Sequence, residues 1–257
     1  WTATDATHTS PDLKTVVQEM VNNANWCGGN AMSFVIKVQS LSAGKRSGYS
    51  FETIATKAPL LRVNFDNTIP QTGATGCINQ TITARVSSGS DDAEERADQS
   101  MYLNSSDLEL VQEASTQKIG IRFRNLTIPQ GATIISADIT FATDETSSIA
   151  TNLILYGEAA DNAIAFTTAS GNISGRPKTG VSVVWSGIPA WNIVGESGPN
   201  QTTPDLKDIV SAVVGRSGWA SGNSMVFLVE GFGKRVAESF NGDAAAAPRL
   251  RVMIQGG

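Results

Sequence analysis

Histidine is almost missing from this sequence: among 257 residues there is one, His8, in a Thr-rich segment. Zinc ligation draws on several His or Cys side chains, and a Ser-His-Asp or Cys-His arrangement cannot be built around this one residue. Paired carboxylates can serve a glycosidase. Here no acidic pair sits among aromatic residues, which make up only 7% of the chain. A site has to be argued from named groups, so the chain reads as non-enzymatic. Charge is scarce as well. Only 17% of residues are Asp, Glu, Lys or Arg, against roughly 25% in ordinary soluble domains. The net charge of -5 comes with no run of one sign, which argues against a nucleic-acid groove. No apolar run approaches the roughly 18 residues of a membrane span. No signal peptide is visible, and the first residue is Trp1 rather than Met. That start reads as a processed chain or part of a longer precursor.

What is abundant is Ser, Thr, Asn and Gly, a composition common on extracellular β proteins. The two cysteines fit an oxidising compartment, and the expected location is extracellular or at a cell surface. The strongest signal is an internal repeat. Ser10-Pro11-Asp12-Leu13-Lys14 matches Thr203-Pro204-Asp205-Leu206-Lys207 at an offset of 193. At the same offset Trp26 falls on Trp219, Gly29 on Gly222, Asn30 on Asn223, Met32 on Met225 and Phe34 on Phe227. The offset then becomes 189. Lys45-Arg46 falls on Lys234-Arg235, Ser50-Phe51 on Ser239-Phe240, and the segment 58–63 on 247–252. The chain therefore reads as the C-terminal half of one module (1–66), a junction (67–80) and a complete module (81–257).

Each copy encodes one helix. Ser10 or Thr203 is placed as N-cap, Pro11 or Pro204 at the first helical position and Asp12 or Asp205 in the first turn. Leu206, Ile209, Val210, Val213 and Val214 follow an i, i+3, i+4, i+7, i+8 spacing, and Leu13, Val16, Val17, Met20 and Val21 repeat it. One stripe is thus to be buried against a sheet, with Gly215 and Gly218 stopping the second helix. Most of the rest alternates like strands, at 32–38, 60–65, 81–86, 119–124, 133–141, 151–157, 181–185, 225–230 and 249–254. Ile128-Pro-Gln-Gly131 is a turn launching the long strand, whose inner face is expected to be Ile135, Ala137, Ile139 and Phe141. The expected fold is all-β: a jelly-roll-like sandwich with one short side helix per module.

The segments SDDAEE (90–95), SSDLEL (105–110), IGIRFRNLTIPQGATIISADITF (119–141), TPDL (203–206), GWASGN (218–223) and APRLRV (247–252) carry a resemblance. Together they resemble the DNRLRE-type, carbohydrate-binding-module-like jelly rolls of large secreted bacterial surface proteins. The resemblance spans about 81–254 and, through the repeat, 10–63. It implies a jelly roll in an extracellular setting, and surface display or polysaccharide contact.

Three groups of residues are candidates for sites. Asp91, Asp92, Glu94 and Glu95, with Asp107 and Glu109 further on, supply the oxygens that calcium prefers; Asn241 and Asp243 add two more from a neighbouring loop. The alternative is a solvated acidic loop. Trp185 and Trp191 flank the loop 186–189 and are candidate sugar platforms, whereas Trp26 and Trp219, fixed beside a helix end, read as core. Cys27 and Cys77 lie outside the shared pattern and are expected to form a disulfide tying half-module to junction. Two functions follow. One is a structural subunit of an extracellular filament, sheath or adhesin stalk, assembling by half-module complementation with copies of itself or adjoining modules of the same precursor. The other is a carbohydrate-binding module of a larger secreted protein, with polysaccharide as partner.

Overall fold

The computed structural model describes residues 4–23, 26, 31–37, 46–65 and 79–255. Cys27 and Cys77, and with them the expected disulfide, lie outside the described residues. The chain divides into two units, Trp1–Ile78 with Gly256–Gly257, and Asn79–Gln255.

The second unit is an all-β sandwich of twelve strands. In chain order they are β1 (Gln80–Arg85), β2 (Asp92–Glu95), β3 (Met101–Tyr102), β4 (Asp107–Leu110), β5 (Lys118–Phe123), β6 (Ile134–Thr140), β7 (Thr143–Glu145), β8 (Asn152–Glu158), β9 (Lys178–Trp185), β10 (Met225–Phe232), β11 (Arg235–Glu238) and β12 (Arg249–Ile254). Three antiparallel sheets result: six strands in the order β3-β2-β5-β10-β8-β9, and two sheets of three, β1-β12-β6 and β4-β11-β7. Their inner faces share one core. Ile119, Ile121, Phe123, Leu153, Leu155, Phe227 and Val229 of the large sheet meet Leu108, Leu110, Ala137, Ile139, Leu250 and Val252 of the small ones. Phe123 and Phe227 meet edge to face at 6.0 Å, a favoured geometry for ring quadrupoles.

The large sheet is apolar on its outer face too. Ala93, Val226 and Leu228 there are covered by Ala163, Phe166 and Ile173 from the connection between β8 and β9. Gly120 is the only residue type that fits below that cover, because a Cβ would overlap the Phe166 ring. Arg176 holds the connection in place. It pairs with Glu158 at 2.7 Å, stacks over Phe166 at 4.3 Å and donates to the carbonyls of Asn172, Ile164 and Ala165.

The segment Pro129–Ala132 is the expected turn: Ala132 N–H donates to Pro129 O, and Gly131 has φ +68°, the third-position geometry of a type II turn. The strand it launches departs from strict alternation. Ile135 points outward, and Ile134, Ala137, Ile139 and Phe141 point in. A register shift between Met253 and Ile254, which leaves Ile135 unpaired, accounts for it. Such a bulge moves the side chains beyond it to the other face.

The helix α2 (Lys207–Val214) starts later than its sequence suggests, with Leu206 rather than Thr203 at the N-cap. The Thr203-Pro-Asp-Leu206 segment instead closes the free edge of β6. Thr203 N–H donates to Ile139 O and Leu206 N–H to Ala137 O. In return Ala137 N–H donates to Asp205 Oδ1 and Ile139 N–H to Thr203 Oγ1. Asp205 Oδ1 also accepts from Lys207 N–H at the helix start. Open edges attract other chains, and this motif removes one. The α2 stripe Ile209, Val210, Val213 and Val214 is fully buried.

Among the described residues the first unit repeats the helix and not the strands. α1 (Lys14–Val21) has the bounds of α2 at the offset of 193, the same N-cap conformation, and Asp12 Oδ1 accepting from Lys14 N–H at 2.8 Å. None of its residues is buried. The strands expected at 32–38 and 60–65 are absent from the described residues 32–37 and 60–65; only a 3-10 turn at Ala55–Lys57 follows α1 among the described residues. The cause is visible in the second unit. Its three strands beyond the helix are each central: β10 lies between β5 and β8, β11 between β4 and β7, and β12 between β1 and β6. No two of them pair with each other. A chain carrying only the second half of this pattern has nothing to form a ladder with.

Arg235, of the repeated Lys-Arg pair, is buried, and among the described residues no carboxylate pairs with it. Its Nε donates to Pro189 O at 2.9 Å, Nη1 to Ile149 O and Lys234 O at 2.6 Å and to Thr151 Oγ1 at 2.9 Å, and Nη2 to Ile188 O at 2.6 Å. Arg235→Met would leave the carbonyl of buried Ile188 without this donor, whereas Ile149 O keeps its hydrogen bond from Thr151 Oγ1. At about 1–3 kcal/mol for an unsatisfied buried group, urea unfolding is expected to show a loss of about 1–3 kcal/mol. A loss below about 1 kcal/mol would show that water replaces the guanidinium.

Candidate functional site

The acidic segment 91–95 is neither a solvated loop nor a convergent cage. Asp91 and the whole of β2 are buried, because β2 lies inside the large sheet between β3 and β5. Asp91 Oδ1 accepts from Arg122 Nη1 at 2.6 Å. Its Oδ2 lies 3.0 Å from Arg124 Nε, an ion pair lacking hydrogen-bond alignment. Asp92 Oδ2 accepts Phe240 N–H at 2.7 Å. Glu94 Oε1 accepts Glu109 N–H at 2.9 Å and Gln117 Nε2 at 3.1 Å. Glu95 Oε2 accepts the N–H groups of Ile173 and Ser174, both at 2.7 Å, and so anchors the cover over the outer face. The four carboxylates go to four separate partners. Each of Asp91, Asp92, Glu94 and Glu95, where calcium was expected, is an acceptor for another strand or loop. Glu109, on β4, is likewise buried and serves this network through its backbone and side chain.

Burial shifts two of these groups. It pushes Asp92 up to about 6, against the Phe240 hydrogen bond. It pushes Glu94 up to about 9, with the Glu109 side chain adding to the shift. Glu94 is therefore held as a neutral acid near neutral pH, able to donate toward Glu109.

Carboxylates converge elsewhere, on the sheet β4-β11-β7. One oxygen each of Asp107, Asp144 and Glu145 lie within 4.8 Å of one another. Glu238 is opposite Asp107 in the β11–β4 register. Its carboxyl is pushed up to about 7, first by burial, then by Asp144, Asp243 and Asp107. Glu145 also meets Lys234 at 3.5 Å. Carboxylate oxygens are the ligand type that calcium takes, six to eight at a time, and this cluster brings together three. Of the six acids singled out from sequence only Asp107 belongs to this cluster. Asp144, Glu145 and Glu238 carry no local signal, since only the pairing of three distant strands brings them together.

The tryptophans flanking 186–189 are not platforms. Trp185 and Trp191 are buried. Phe141 stacks on Trp185 at 6.0 Å and lies tilted against Trp191 at 6.4 Å, and Trp191 Nε1 donates to Asn200 O. A pyranose needs an open ring face, and both rings face the core. Trp219 is core as expected, with Nε1 donating to Ile128 O at 2.9 Å. A shallow groove over the outer face of β1-β12-β6 is lined by Arg249, Arg251, Asp138 and Thr140 and by residues 197–199 and 202–203, none aromatic.

Exposed large apolar residues occur in both units, and those with the highest exposures lie in the first. Val35, Ile36 and Phe65 are 80%, 97% and 81% exposed, whereas their repeat equivalents Leu228, Val229 and Ile254 are 1%, 1% and 3% exposed. Phe51, Leu60 and Val16 are exposed as well. Large apolar residues exposed in such number are a feature of contact surfaces. No helix among the described residues is long and apolar enough to cross a membrane. No family model matches the chain, and no curated protein is detectably similar to it.

Stability is expected to depend on pH through Asp92, Glu238 and Glu94. All three are raised in the fold, so the folded state holds their protons longer than the unfolded chain does. Their contribution is complete below about pH 4 and is lost as pH rises through about 6, about 7 and then about 9. Tm is therefore expected to fall between pH 5 and pH 9. Glu94→Gln keeps the acceptor, supplies an N–H toward Glu109 and should flatten that slope. An equally steep slope in the variant would place the effect elsewhere.

Proposed function

We propose that this protein is a non-catalytic structural subunit of an extracellular bacterial filament, sheath or adhesin stalk, joined to its neighbours by half-module complementation. The observation that carries the reading is the pairing, in one chain, of an apolar, unladdered half-module in the first unit with a complete sandwich in the second. A freestanding binding module has no use for a second copy of its own C-terminal half. A fibre or stalk does, because each such half is a connector. The low charge, the Ser/Thr/Asn-rich composition and the resemblance to secreted surface modules support an extracellular setting. The carbohydrate-binding alternative loses its aromatic platforms with Trp185 and Trp191 in the core. In this reading calcium is a structural ion, and Asp107, Asp144 and Glu145 are the residues to hold it.

Electron microscopy of the native material is expected to show filaments, a sheath or stalks containing this chain. A dispersed, monomeric secreted protein that binds glycans on an array would replace the structural reading with the carbohydrate-binding one. Calcium at millimolar concentration is expected to raise Tm and chelation to reverse the rise; Tm indifferent to both removes calcium from the proposal.

A further inference from the structure

We infer that the first unit is completed by insertion into the first half of another module of this kind, a segment patterned like residues 79–202 whose own second half is absent. This rests on the reading of the first unit as a connector, and it names the partner. The template is the interface inside the second unit, where everything from Thr203 onward packs into everything before it.

The burial pattern sets the slot. Phe34, Val35 and Ile36 are three consecutive apolar residues. Their equivalents Phe227 and Val229 enter the inner core, while Leu228 enters the outer cluster beneath Phe166 and Ile173. A segment apolar on both faces needs a core on one side, a cover on the other and a strand along each edge. Pairing with an exposed sheet edge such as β9 or β1 provides one strand and no cover. Segment 60–65 is different. Leu61, Val63 and Phe65 are equivalent to Leu250, Val252 and Ile254, which are buried on one face only, with Arg249 and Arg251 outward. That is the pattern of β12 in a three-stranded sheet. The α1 residues Leu13, Val16, Val17 and Met20 match α2 residues that are buried in the module.

Register follows from the repeat. Phe227 lies opposite Ile121 on one side and Gly157 on the other, so Phe34 takes the place between the partner's equivalents of these two. Val252 lies opposite Ile82 and Ala137, and Val63 takes that place. A second complete copy of this chain does not offer these slots. Its β10, β11 and β12 already have both edges paired, and it would have to release residues 203–255 first.

The test joins an additional copy of residues 79–202 directly ahead of Ser10, the equivalent of Thr203, and compares this chain with 1–257 by hydrogen exchange. Amides at 34–36 and 61–65 are expected to exchange at least about 100-fold more slowly in the extended chain, as core strands do. Phe34→Asp should abolish the gain. Unchanged exchange, or an added segment that stays unfolded while residues 79–255 melt normally, overturns the inference. So does protection of the same amides in 1–257 alone that grows with concentration, because the occupant is then a second copy. That last outcome leaves the structural-subunit reading standing, and microscopy tests the latter independently.

Discussion

Every strand contributed by the last quarter of the module needs two neighbours, and both come from the first three-quarters. β10, β11 and β12 are each inserted between earlier strands, in three different sheets. Backbone N–H and C=O groups are obligatory hydrogen-bonding groups, so this interleaving makes the two parts of the module mutually dependent. The earlier part without the later one has a gap in the middle of each sheet. The later part without the earlier one has no ladder at all. Residues 31–37 and 60–65 form no strand, although their apolar patterns match those of β10 and β12.

The motifs that repeat are the places where the later part grips the earlier. Thr203-Pro-Asp-Leu206 caps the free edge of β6 with two backbone and two side-chain hydrogen bonds before the helix begins. Arg235 gathers carbonyls from residues 149 and 188–189, two separate loops of the earlier part. Trp219 reaches Ile128 O. Each has its counterpart in the first unit, at Ser10–Leu13, Arg46 and Trp26. A segment that keeps the gripping residues is suited to gripping an equivalent partner.

Scarce charge in this chain does not mean that charge stays outside. Asp91, Asp92, Glu94, Glu95, Glu109, Glu158, Arg176 and Arg235 are all buried. Most are tied by hydrogen bonds or ion pairs to groups distant in sequence, and this is how buried charge is tolerated. Here the network fixes which loop lies over which strand. Glu95 and Arg176 hold the cover over the outer face, and Asp92 holds the turn after β11.

The all-β class, the repeat, the two helices and nine strand positions were legible from local patterns: alternation, the 3.6-residue stripe and the Pro-Gln-Gly turn. Seven of those nine strands form, because their pairing partners are present in the same unit. The short strands β2, β3, β4, β7 and β11 were not legible, since two to four residues carry too little periodicity and β2 reads as acid. The candidate sites fared worse for the same reason. An acidic run looks solvated until its strand is found inside a sheet, and a tryptophan beside a loop looks open until Phe141 is found against it. Local order of residues settled what each segment prefers to be. Only the tertiary pairing decided whether a preference could be met, because a strand's partners and a carboxylate's neighbours come from residues far away in the chain.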